Sequence, residues 1–82
     1  MITAFHNPVS SQTIISFNLE LANYVTLVIY NIQGKEIEIL THSYQSAGNH
    51  ELLWQTEGLP GGTYLAVIQS GGHVDTLEIL LT

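Results

Sequence analysis

The stretch from Tyr24 to Gly34, Y-V-T-L-V-I-Y-N-I-Q-G, constrains this chain more than any other. Side chains of an extended chain alternate between two faces. Val25, Leu27 and Ile29 therefore fall on one side, and Tyr24, Thr26, Val28 and Tyr30 on the other. Every residue from Tyr24 to Tyr30 is β-branched, aromatic or Leu, the composition that suits a pleated, half-buried surface. Asn31-Ile32-Gln33-Gly34 then supplies a turn, with Gly34 free to take positive φ. Lys35-Glu36-Ile37-Glu38-Ile39-Leu40 alternates again, as the return strand of a hairpin does. A chain built on such a hairpin has to find a second sheet to cover its apolar face.

Size and charge narrow the options further. At 82 residues the chain is one domain, near the lower end of what folds alone. It has no cysteine, so neither a disulfide nor a thiolate metal site staples it, and its 45% hydrophobic content must do that work through packing. One basic residue, Lys35, stands against seven acidic ones, a formal net charge of −6. Nucleic-acid binding needs clustered Lys and Arg to neutralise phosphates, so that class is excluded as a partner. Docking on anionic lipid is disfavoured for the same reason. No run is long enough for a membrane helix, which speaks against direct membrane insertion, and the N-terminus lacks the zones of a signal peptide.

In chain order, Met1 to Phe5 is a short apolar lead-in closed by Asn7-Pro8, where the proline restrains both residues and makes a turn into the domain. Thr13 to Leu19 places Ile15, Phe17 and Leu19 on one face, with Ile14 the one mismatch. After the central hairpin, Thr41 to Ala47 reads as a polar loop ending at Gly48. His50, Leu52 and Trp54 alternate along the next strand, and Leu59-Pro60-Gly61-Gly62 forms a tight corner with two glycines. Thr63 to Gln69 is apolar on both faces, as a central strand covered on both sides would be. Ser70-Gly71-Gly72 turns the chain into the last strand, Val74 to Leu81. The expectation is an all-β, Ig-like antiparallel sandwich of six to seven short strands, with Ile2 to Phe5 as the seventh.

The order of these landmarks carries a resemblance. N-P near the start is followed by I-x-F-x-L, V-x-L-x-I-Y-N-x-x-G-K-E-I, A-G-x-H-x-L-x-W, G-L-x-G-G-x-Y and an apolar terminal strand. Each piece is mostly strand plus turn glycine, and the ordered set, from about Ala4 to Leu81, closely resembles the C-terminal sorting domain, type A, of the type IX secretion system of Bacteroidetes-type bacteria. The resemblance implies a single non-catalytic domain over residues 1–82, excised from a larger secreted protein and fused to an N-terminal cargo. It implies the type IX machinery and its sorting peptidase as partners, and passage through the periplasm to the outer-membrane surface or the extracellular space. Partner recognition is expected at Leu77, Ile79, Leu80, Leu81 and Thr82, and structural turns at Asn7, Pro8, Gly34, Gly48, Gly61 and Gly62. Family members often carry Lys or Arg just before the final apolar residues, where this chain has Thr76-Leu77-Glu78. The alternative is an Ig-like structural or adhesive module, as in flagellar hook-capping proteins, which share Y-N-x-x-G and G-x-Y.

The residues that could carry chemistry have plainer readings. His6, His42, His50 and His73 show no paired metal-ligand spacing, so no metal or other cofactor is expected. Glu36 and Glu38 read as the solvated face of an amphipathic strand rather than an acid–base pair. No Gly-x-Ser-x-Gly occurs, and the glycines from Gly58 to Gly62 lack the Lys-Ser/Thr ending of a phosphate cradle. Trp54 and Tyr64 could form a sugar-binding platform, but their positions favour the sandwich core, while Tyr24, Tyr30 and Tyr44 are expected to be partly exposed. Nothing points to an enzyme.

Overall fold

The computed structural model describes residues 2–7, with side chains only for Ile2 and Ala4, and residues 12–82. Seven strands occupy this length: β1 (Ile2–Asn7), β2 (Gln12–Leu19), β3 (Asn23–Asn31), β4 (Glu36–Gln45), β5 (Gly48–Gln55), β6 (Gly62–Ser70) and β7 (His73–Leu81). They form a three-stranded sheet ordered β1-β2-β5 and a four-stranded sheet ordered β4-β3-β6-β7, antiparallel throughout. The chain changes sheet at β2–β3, β4–β5 and β5–β6, which makes the all-β sandwich that the alternation predicts. In a constant-type immunoglobulin domain the fourth strand lies beside the fifth. Here β4 stays paired with β3, and only Ser46 and Ala47 carry the chain across to the other sheet.

The core is made by the inward side chains of both sheets. Ile15 and Phe17 of β2 and Trp54 of β5 meet Val25, Leu27 and Ile29 of β3, Tyr64 and Ala66 of β6, and Ile79 and Leu81 of β7. The turn after β3 is held by Asn31, whose Oδ1 accepts from the backbone N–H of Gln33 at 3.0 Å and of Lys35 at 2.9 Å. Gly34 sits there at φ 84°, in the left-handed region that a side chain resists.

Three expectations need correction. Thr41–Gln45 is strand, not loop: it extends β4 along β3, pairing Tyr44 with Tyr24 and Thr41 with Leu27. Along β4 the register shifts twice, so Ile37 and Leu40 pack against the core while Ile39 is turned out and 51% exposed. A bulge sends neighbours to faces that strict alternation would not give them. Strand β6 is central, but only Tyr64, Ala66 and Ile68 are buried; Leu65 and Val67 face outward, half-buried, where the described residues provide no third layer. Asn7 is the last residue of β1, paired with Gln12, and Pro8 lies outside the described residues.

Candidate functional site

The residues singled out at the chain's end and those at the glycine corner come together at one end of the sandwich. Strand β7 is the outer strand of its sheet, and pairing sets Gly62 opposite Leu81, Thr63 opposite Leu80 and Tyr64 opposite Ile79. A Cβ on Gly61 would stand 3.3 Å from the Leu81 carbonyl oxygen, so the corner lies directly against the end of β7. Gly62 takes φ 139°, which only glycine accepts without strain. Tyr64 donates from its hydroxyl to the Pro60 carbonyl oxygen at 2.6 Å. This is the tyrosine corner of Ig-like sandwiches, a ring at the start of the sixth strand that ties back to the preceding loop.

Alternation then sorts the expected recognition residues. Ile79 and Leu81 are buried and Leu77 is half-buried against the core, so these three hold the strand in place. Leu80, 63% exposed, and Thr82 remain available to a partner. Among the described residues no strand continues the sheet beyond β7, which leaves its outer backbone edge unpaired, the kind of edge that strand addition uses.

The other candidates are scattered. His42 is in β4, edge-on to Tyr24 with ring centroids 5.2 Å apart; His50 stacks on Phe17 and its Nε2 lies 2.7 Å from the Ser46 carbonyl oxygen. His73 is exposed at the start of β7, and the His6 side chain lies outside the described residues. Among the described residues no three His, Asp or Glu side chains come together as a metal site. Glu36 and Glu38 are both exposed on β4. Trp54 is fully buried, edge-on to Tyr64 at 5.5 Å, so it anchors the core and offers no platform to a sugar. Tyr24 and Tyr44 are exposed and Tyr30 half-buried. Gly48 has φ 118° where β5 begins. A cleft of about 480 Å³ opens at the far end of the sandwich, between Phe17, Leu19 and the β6–β7 turn, away from β7's last residues. No helix among the described residues is long and apolar enough to cross a membrane.

Two features escaped the sequence reading. The tyrosine corner was signalled by Pro60-Gly61-Gly62-Thr63-Tyr64, four residues from acceptor to donor, but the hydroxyl's partner could not be read from spacing. The outward apolar face of the four-stranded sheet is signalled by Leu65 and Val67, whose pattern alone reads as a strand covered on both sides.

Residues 3–81 match the family model described as the secretion system C-terminal sorting domain. The chain belongs to this family. As a type IX sorting domain it is a sorting signal rather than a member of a catalytic family, and membership implies export to the cell surface or beyond. A search among curated proteins found no match to the sorting domain.

Proposed function

We propose that this sorting domain directs an attached cargo through the type IX system to the cell surface, that the machinery recognises it as a folded unit, and that the system's sorting peptidase then removes it. The family match across residues 3–81, which spans the entire sandwich rather than a short tail, is the observation that supports this reading most. The open edge of β7, with Leu80 and Thr82 exposed beside the Pro60–Gly62 corner, is where partner recognition is centred. The domain does no chemistry of its own.

The test is a fusion of residues 1–82 to the C-terminus of a periplasm-directed reporter in a bacterium that has the type IX system. The intact fusion is expected at the cell surface, and a fusion lacking Leu77 to Thr82 in the periplasm. Deletion also removes Ile79 and Leu81 from the core, so substitutions at exposed Leu80 and Thr82 separate lost recognition from unfolding. An intact fusion that stays periplasmic while an established sorting domain exports the same reporter would sink the proposal, and an Ig-like structural module would become the better account.

A further inference from the structure

Val28 belongs to β3 but not to the core. It lies on the opposite side of the strand from Val25, Leu27 and Ile29, outside the core cluster, and is nevertheless only 7% exposed. Its shelter comes from neighbours on the outward face, because the register sets Ile39 on one side of it and Val67 on the other. The adjacent row crosses all four strands as Glu36, Tyr30, Leu65 and Glu78. Strands are spaced about 4.8 Å apart, so the backbone positions of the two glutamates bracket the apolar centre about 14 Å apart. Glu38 is exposed on the same edge strand as Glu36.

We propose that this outward face of the four-stranded sheet is an interaction surface for a partner protein presenting an apolar centre flanked by Lys or Arg. The proposal rests on the export reading and extends that recognition from exposed Leu80 and Glu78 on β7 across the sheet to β4. A second copy of the chain fits poorly. Two-fold pairing lays a patch on itself, which would set Glu36 and Glu78 against like charges in a molecule whose only Lys or Arg is Lys35. Nucleic acid and anionic lipid have the wrong sign. A basic-rimmed protein surface answers both features: its apolar centre covers Val28, Leu65, Val67 and Ile39, and its cations meet the carboxylates. Rim charges of this kind steer encounter and select partners, and their effect falls as salt rises.

The experiment uses the same reporter fusion with three variants: Glu36→Lys/Glu78→Lys, the milder Glu36→Gln/Glu78→Gln, and Ile39→Ser. All three alter exposed side chains, so each isolated domain should melt within about 4 °C of the parent. Export of the charge-reversed fusion is expected to fall about tenfold, with a smaller fall for the Gln pair and a comparable fall for Ile39→Ser. The Gln pair carries the test if charge reversal unfolds the domain. Export unchanged in folded variants overturns this surface and leaves the sorting reading standing. Loss in Ile39→Ser alone overturns the basic chemistry assigned to the partner. An intact fusion that fails to leave the periplasm removes the sorting reading and this proposal with it. Sedimentation of the isolated domain should show a monomer; a dimer abolished by Ile39→Ser would give the face to a second copy and overturn the proposal.

Discussion

Replacing Tyr64 with Phe isolates a single bond at the corner that borders the end of β7. The ring is 5% exposed and edge-on to Trp54, and Phe keeps both the ring and that contact. What is lost is the hydroxyl that donates to the Pro60 carbonyl at 2.6 Å. A hydrogen bond of this type contributes about 0.5–1.5 kcal/mol net, and more only when the abandoned partner stays dry. Pro60 is exposed and the bond itself is only part-buried, so the expected cost is about 1 kcal/mol. At about 0.05–0.15 kcal/mol per residue, 82 residues give a domain stability of about 4–12 kcal/mol, so the variant folds. For a domain of this size the melting temperature should fall by about 4–8 °C. Trp54 is the single tryptophan and is buried, so its fluorescence follows urea unfolding without a label. The midpoint should drop while the slope against urea stays the same, because the exposed surface on unfolding is unchanged. Tyr64→Phe should cost nearly the same in a Pro60→Ala background, since the acceptor is backbone. A loss below about 0.3 kcal/mol would show that the bond does not hold the corner, and one above about 3 kcal/mol that the ring had moved and left a cavity.

Two further outcomes follow from the packing. Trp54→Ala should remove about 3–5 kcal/mol, the cost of truncating a fully buried aromatic, and calorimetry should find the domain close to unfolded at 37 °C; a melt within a degree or two of the parent's would contradict its burial. Asn31→Ala removes the acceptor for Gln33 and Lys35 and should cost about 1–2 kcal/mol in urea titration, whereas Asn31→Asp, which keeps an acceptor oxygen, should recover most of it.

The strands whose one face enters the core were legible because burial imposes alternation: β2, β3 and β5 follow it with few mismatches. The second half of β4 was not. Thr41, Ser43 and Gln45 share one face, and composition alone marks them as loop. In the fold they form a polar ladder, with Gln45 Nε2 donating to Ser43 Oγ at 2.8 Å and to Thr41 Oγ1 at 3.2 Å. Backbone pairing with β3 keeps them extended, and periodic hydrophobicity carries no trace of such pairing. The bulges that separate Ile37 from Ile39 are equally silent, since the sequence alternates as if both pointed inward. At the site, the inward role of Ile79 and Leu81 was readable from alternation. The approach of Gly61 to the Leu81 carbonyl was not, because it joins positions twenty residues apart.

The two register shifts in β4 also decide how the four-stranded sheet can grow. A smooth edge offers a regular row of backbone donors and acceptors, whereas a bulge twists that row and breaks its spacing. The β4 edge is interrupted twice, while β7 pairs in unbroken register with β6 from His73 to Leu81. A fibre needs two competent edges on every molecule, one to give and one to receive. This sheet has a single competent edge, so copies meeting through it can only join β7 to β7 about a dyad, and such growth terminates at two. The domain can thus keep one strand edge open to a partner without becoming the repeating unit of a filament through this sheet.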